Sequence, residues 1–328
     1  MPADDPLAPA VPGQRWVVRH RLPDGSATDV TGWVDRLAPG HVHLGTAEGR
    51  LHVVDRSSVL VARRAPAAAG GPPPERTSAD ELEHLSVPGW LALAEPLGEW
   101  TLRAGGGFTG RANSCHAVGD PGVEAAEAAR QIVAHAETHG IAPLASVVDG
   151  GEPEAALRAL GWTDAYVPTD VLAVRLADLL GTTPPDPRAR VTLDLEVGWW
   201  NAYAESRPND ADPGLLRLVL AGHPPRAFGS AGDPDRPSAI GRGHLSGAWL
   251  GYAALWTRPG HRRQGLATAI MHRLGHWAAR HGARYAYLQV ATANVEAHAA
   301  YGRLGFRRHH GYRYLAPPQP QLIRSVGP

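Results

Sequence analysis

Apolar and polar positions along the chain follow two successive periods. Between Gln14 and Arg64 the apolar residues alternate in short β-branched runs: QRWVVRHRL, TDVTGWVDRL, HVHLGTA and RLHVVDRSSVLVARR. The turn-forming stretches PDGS, APG and AEG separate them. A period of two broken by such turns predicts five short strands. That many strands in so few residues implies a small SH3-like β-barrel over residues 1–65. Residues 66–80, within APAAAGGPPPERTSAD, have the composition of a linker.

Beyond residue 80 helical periodicity enters. In GVEAAEAARQIVAHAETHG, Val123, Ala126, Ile132 and Ala136 fall near one helix face, and Gly140 supplies the stop. Strand-like EWTLRAGGGFTGRANSCHAV precedes this helix; the strand IAPLASVV and the short helix EPEAALRALGW follow it. After a second linker, GTTPPDPRAR, two short helices are predicted in GWWNAYAESR and PGLLRLVLAG. HLSGAWLGYAALWTR reads as a strand region, GLATAIMHRLGHWAARHG as a helix and ARYAYLQVAT as a strand. Leu266, Ile270, Leu274 and Trp277 form the apolar face of that long helix, with Gly282 at its C-terminal cap. NVEAHAAYGRLGF is a further helix, and RRHHGYRYLAP closes the chain as a strand. Residues 81–182 and 183–318 thus share an order of helix, strand and short helix ending in LGW or LGF, which reads as a diverged tandem repeat in an α+β fold.

Charge adds a direction. The 328 residues carry no formal net charge, so no whole-chain basic field for nucleic acid is indicated. Yet Ile240 to Leu315 holds eleven arginines against one acid, while Gly71 to Asp186 holds seventeen acids against six arginines. The single cysteine, Cys115, excludes an internal disulfide framework and reads as a buried thiol. HVH at 41–43 and HH at 309–310 lack a supporting ligand set, so no metal is expected. No apolar run approaches the ~20 residues of a membrane span. The opening MPADDPLAPAVPG is acidic and proline-rich, unlike a signal peptide, so a soluble cytoplasmic protein is expected.

Two glycine patterns could cradle an anion. GGGFTG, through Gly105, Gly107 and Gly110, meets G-x-G-x-x-G, but strand-like RANSCHAV follows where a dinucleotide site needs a helix. A glycine-rich hairpin or bulge is the better reading. HRRQGLATAI differs, because it places two arginines and a glycine between a strand and a helix. Unpaired N–H groups and the dipole at a helix start favour an anion there.

Arg262-Arg263-Gln264-Gly265-Leu266-Ala267 fits R/Q-x-x-G-x-G/A. Roughly thirty residues on comes Asn294-x-x-Ala297-x-x-x-Tyr301-x-x-x-Gly305-Phe306. With Pro259 before the loop and YAYLQV between the motifs, this pair resembles the cofactor core of the GNAT superfamily of acyl-CoA-dependent N-acyltransferases. The resemblance implies a GNAT αβ sandwich with a mixed central sheet over 183–318, preceded by a degenerate GNAT-like half over 81–182. Tandem arrangements of this kind, some with an SH3-like module in front, resemble actinobacterial acetyltransferases. The acidic VGDPGVEAAEAA makes the first half unsuited to pyrophosphate.

The family likeness further implies acetyl-CoA as co-substrate, its pantetheine arm paired to the strand edge Leu255, Trp256 and Thr257. The Thr257 N–H would be an oxyanion donor; a small aliphatic is usual at that position. Arg262, Arg263, Gln264, Gly265, Leu266, Ala267 and Thr268 would hold the phosphates. Tyr301 falls at the position of the general acid, and a phenol of ordinary pKa near 10 can protonate a departing thiolate. Asn294 caps its helix, touches the cofactor, or does both. GAWLGYAALW lacks the carboxylate that many members place on this strand. Glu205, Asp210 and Asp212 are then the base or substrate-binding candidates, or simply solvated loop acids.

The expected activity is direct acetyl transfer to a primary amine, of a small molecule in the first reading and of a protein or peptide in the second. A non-catalytic acyl-CoA sensor is a further alternative. Nucleic acid is not an expected partner, since the barrel is not markedly basic and no aromatic–basic platform stands out. A membrane partner is likewise not expected.

Overall fold

A computed structural model of the chain describes residues 5–11, 14–46, 51–65, 71–90, 92–182, 184–207 and 211–318. The five N-terminal strands form where alternation predicts them: β1 (Arg15–Arg21), β2 (Ala27–Leu37), β3 (His41–Gly45), β4 (Leu51–Asp55) and β5 (Val59–Arg64). They pair antiparallel in the order β4-β3-β2-β1-β5 over a core of Trp16, Val18, Val30, Val34, Val42 and Leu44. This sheet is open, which corrects the expected closed barrel. The reason lies in the edges: β4 buries only Val54 and β5 buries no residue, so neither turns enough apolar surface inward to close on the other.

Next come α1 (Ala79–Ser86), capped by the Ser78 hydroxyl on the Glu81 N–H at 3.1 Å, then β6 (Leu93–Leu97), β7 (Trp100–Ala104) and β8 (Cys115–Ala117). They are followed by α2 (Ala125–His139), β9 (Ala145–Val148), α3 (Glu152–Ala159) and β10 (Thr163–Asp164). The remaining elements are β11 (Thr169–Arg175), α4 (Leu176–Leu180), β12 (Ala189–Thr192), α5 (Val197–Ser206), α6 (Pro213–Ala221), β13 (Arg226–Gly232) and β14 (Pro237–Ser246). β15 (Trp249–Thr257), α7 (Leu266–Arg280), β16 (Tyr285–Ala291), α8 (Val295–Arg303) and β17 (Arg307–Ala316) complete them. Among the described residues no helix is long and apolar enough to cross a membrane.

Contacts divide the chain into two compact units. One gathers the described residues up to 90 with 171–290 and 294–309; the other gathers 92–170, 291–293 and 310–318. The units therefore do not follow the linear order of the repeats. β11, the strand after LGW, joins the unit of β12 to β16, where it neighbours β16. From His310 on, β17 belongs to the unit of β6 to β9, where Tyr312–Leu315 pairs antiparallel with Ala145–Val148. Each unit is mixed: β8 runs parallel to β9 in one, and β15 parallel to β16 in the other.

In the smaller unit, α2 lays Ala128, Ala129, Ile132 and Ala136 on a core with Trp100, Leu102 and Val147. The GGGFTG stretch is a loop folded on one side chain: Asn113 Oδ1 accepts from the N–H groups of Gly105 and Gly107, both at 2.7 Å. Burial pushes the Cys115 thiol up to about 12, so it stays protonated and inert.

In the larger unit, α7 buries the predicted face, Leu266, Ile270, Leu274 and Trp277, against β13 and β14. The close approach depends on small residues in the sheet. A Cβ at Gly229 would lie 2.7 Å from Ile270 Cγ2, and one at Gly241 would lie 2.9 Å from the same atom. Alternate residues of β14, Arg242 and His244, point to the other face and are buried. His244 packs against Gly89, where a Cβ would come within 2.8 Å of Nδ1.

Burial, with Arg242 and His223 nearby, depresses His244 to about 3. An imidazole that stays neutral when folded but titrates normally when unfolded favours the unfolded chain as pH falls below 6.5. Its contribution is complete above that value and drains away towards pH 3. In urea titrations below pH 6.5, the wild type should therefore lose stability faster than His244→Leu, by about 1.4 kcal/mol per pH unit. Equal slopes would mean that His244 gains its proton without unfolding.

Candidate active site

The site is built around an irregularity in β15. Residues 246 and 249 close a tight turn, and pairing with β14 runs regularly to Arg242↔Ala253. The next pair is Ile240↔Trp256, so Ala254 and Leu255 together face Gly241. This is a β-bulge, and Ala254 adopts φ 53, a left-handed conformation uncommon for a residue with a Cβ. On its other edge β15 pairs in parallel with β16 only as far as Tyr252↔Leu288. Among the described residues no pairing between the two strands continues beyond that point, and the residues from Ala253 to Thr257 present an open edge.

Backbone parity decides what this edge offers. The Arg258 N–H donates to Ser238 O at 2.9 Å, so Thr257, one residue earlier, turns its N–H and C=O away from β14. Leu255 shares that orientation. Trp256, between them, faces Ile240 of β14. The Trp256 ring instead carries the Arg258 guanidinium, 5.3 Å above its centroid.

Pro259–His261 forms a single tight turn, and the chain then reaches the helix through two left-handed residues, Arg263 (φ 60) and Gly265 (φ 77). Arg262 Nε reaches back to Thr257 O at 3.4 Å. Gly265 is the N-cap of α7 and provides no side-chain cap, and the first turn contains no acid. The first helical bond is Ala269 N–H to Gly265 O. Among the described residues the amides of Leu266, Ala267 and Thr268 therefore find no acceptor. Among the described residues, and apart from its own chain neighbours, a Cβ built on Gly265 meets within 4 Å Arg188 Nη2, at 3.8 Å. Arg262, Arg263 and Gln264 are exposed around this opening.

Arg188 was not among the residues singled out from sequence. Its guanidinium holds Gln264 O at 3.1 Å and is itself paired with Asp186 at 2.6 Å, bracing the loop from outside. It lies in GTTPPDPRAR, whose linker-like composition conceals the role.

Tyr301 projects from α8, half-buried, with its ring edge-on to Phe306 at 6.0 Å. Both Tyr301 and Leu255 pack on the core that contains Leu266 and Phe306. Its hydroxyl has no hydrogen-bond partner among the described residues. Burial raises its pKa, and the charge of Arg207 only partly offsets this. Asn294 is the N-cap of α8, accepting from the Ala297 N–H at 3.1 Å, so its capping role is realised.

The acidic candidates are engaged elsewhere. Glu205, at the end of α5, is ion-paired with Arg258. Asp212 caps α6, accepting from the Leu215 N–H at 2.8 Å. Both carboxylates thus have local partners. Asp210 lies outside the described residues.

Residues 78–315 match the family model described as "Probable histone acetyltransferase Rv0428c C-terminal". The chain is similar to the uncharacterized N-acetyltransferase YobR of Bacillus subtilis (strain 168), at 24% identity over 244 residues, covering 71% of this chain and 97% of that protein. Among solved structures it is similar to a GCN5-related N-acetyltransferase from Kribbella flavida, at 18% identity and a TM-score of 0.51, covering 74% of this chain and 97% of that one. It is also similar to a tandem GNAT protein from the clavulanic acid biosynthesis pathway, at 16% identity and a TM-score of 0.45, covering 62% of this chain and 74% of that one.

Proposed function

The chain belongs to this acetyltransferase family and is an enzyme of the GNAT type, and from that premise we propose that it moves an acetyl group from acetyl-CoA directly to a primary amine. The observation that carries the reading is the open edge of β15 leading into the uncapped start of α7. Acetyl-CoA supplies an activated acyl group there: the neutral amine nitrogen bonds to the carbonyl carbon, the C–S bond breaks, CoA leaves as a thiolate, and the nitrogen gives up a proton to water to become the amide. The amides of Leu255 and Thr257 pair with its pantetheine arm, and the Thr257 N–H stabilises the negative charge that develops on the thioester oxygen. The free amides from Gly265 to Thr268 hold the pyrophosphate, with Arg262, Arg263 and Gln264 around it. Because burial keeps Tyr301 protonated, its hydroxyl can deliver a proton to the sulfur.

We assign these roles to the 183–318 segment and read 81–182 as its degenerate partner. Support comes from the helix starts: α2 has Glu124 as N-cap and Glu127 in its first turn, where pyrophosphate would be repelled. Residues 1–65 are an N-terminal β module in this reading, joined through a linker at 66–80.

A small-molecule amine is the first acceptor class. The name of the matched family favours a second, the side-chain amine of a protein lysine. Calorimetry with acetyl-CoA, beside thiol release in the presence of polyamines, aminoglycosides, amino acids and lysine peptides, tests both. We expect one acetyl-CoA per chain and accelerated release with one of these amine classes. Absence of acetyl-CoA binding would overturn the assignment of the site.

A further inference from the structure

We propose that Glu95, His135 and His139 form a binding site for a divalent metal ion of the Zn²⁺ class, separate from the acetyl-transfer site. His135 and His139 stand at i and i+4 in the last turns of α2, so both imidazoles leave one helix face. β6 brings Glu95 to them. His135 Nδ1 lies 3.5 Å from one Glu95 oxygen, and His139 Nε2 lies 4.0 Å from the other. The ring centroids are 4.5 Å apart and tilted by 54°. One donor atom from each residue falls within 4.8 Å of the other two.

These separations are those of loose ion-pair contacts, longer than hydrogen bonds of about 2.7–3.2 Å, and leave room for a shared ion among the three groups. Four-coordinate zinc, with ligands at about 2.0–2.2 Å, spaces its donors roughly 3.3–3.6 Å apart. The His135–Glu95 separation already matches, and the widest separation, within 4.8 Å, needs a closure of no more than about 1.5 Å. The side chains that must move are those with room: Glu95 is 52% and His139 27% exposed, while His135 is anchored at 7%. Two imidazoles and one carboxylate favour zinc over calcium or magnesium, which prefer all-oxygen shells. The exposed side of the group leaves a fourth position open to water.

The local sequence HAETH is not the H-E-x-x-H pattern of metalloproteases. Glu137 follows the first histidine by two residues, about 200° around the helix, and cannot join the pair. The third ligand comes instead from β6, an edge strand with four of its five residues exposed and, among the described residues, paired with β7. The ion would give that strand a second attachment, to α2. Sequence reading passed over the site because 40 residues separate Glu95 from His135 and nothing local links them.

The test uses the full-length, tag-free chain stripped by a chelator and titrated with Co²⁺, whose visible absorption reports low coordination, then with Zn²⁺. We expect one ion per chain and bleaching of the cobalt spectrum by zinc. Glu95→Gln and His139→Ala should each weaken binding by more than the roughly 10–100-fold that loss of outer-shell support costs. Both side chains are solvent-accessible, so circular dichroism should show both variants folded. A His41→Ala/His43→Ala variant should bind like the wild type. No stoichiometric uptake, or uptake that survives Glu95→Gln combined with His139→Ala, would overturn the proposal.

Discussion

Gly265→Glu should weaken acetyl-CoA binding by about 10²–10³-fold while leaving the chain folded. Two effects act together at this position. The Cβ would stand where phosphate must approach the amides of the first helical turn, and the carboxylate would stand beside the pyrophosphate. Like unit charges about 4 Å apart repel by roughly 4 kcal/mol at an effective dielectric constant of 20, enough for the upper end of that range. The cost to folding is much smaller. Among the described residues, and apart from its chain neighbours, a Cβ at Gly265 meets Arg188, at 3.8 Å, and the φ of 77 adds about 1–2 kcal/mol of strain. A carboxylate at a helix start returns about 0.3–1 kcal/mol of this. Gly265→Ala separates the two effects, because it adds the methyl group without the charge, and should lose about tenfold. Calorimetry reads the affinity, and thermal unfolding shows that the variants are folded. Retained affinity in the glutamate variant would remove the phosphate cradle from the start of α7.

The features that single out Gly265 were only half legible in the sequence. Its place in Arg262-Arg263-Gln264-Gly265-Leu266-Ala267 identified a helix start made for an anion. That the chain must also turn left-handed there, and at Arg263, emerges only from the backbone. The same holds for β15. Its alternating sequence predicts a strand, but the bulge at Ala254 arises from registers set against β14 and β16, and no local propensity encodes it. Helices were legible where one face was continuous, as in α7, because an apolar stripe of 3.6 period has few other solutions. The N-terminal strands were legible by alternation, but closure into a barrel depends on how β4 and β5 meet, which the alternation leaves open. The exchange of β11 and β17 between units was hidden for the same reason: a strand after LGW or LGF looks alike whichever sheet receives it. The partners of the acids were not legible because capping and ion pairing depend on neighbours: Asp212 caps α6, and Glu205 pairs with Arg258, 53 residues away.

Tyr301→Phe should lower turnover by about 10²–10⁴-fold, with acetyl-CoA affinity within twofold of the wild type. The substitution isolates one atom. The ring keeps its edge-on contact with Phe306 at 6.0 Å, and the hydroxyl leaves behind no partner among the described residues, so packing and stability should be unchanged. What is lost is the proton source for a basic thiolate in a partly dry site. The direction of the pKa shift sharpens the test. Burial raises the phenol above its ordinary value of 10, so the acid form persists throughout the working range. Wild-type kcat should therefore show no fall between pH 7 and pH 9 that originates from Tyr301. A descending limb in that range, absent from Tyr301→Phe, would require a phenol with a lowered pKa and would contradict the burial seen here. Turnover in the phenylalanine variant within twofold of the wild type would mean that the thiolate departs unprotonated or takes its proton from water. Tyr301 would then be a packing residue of α8 alone.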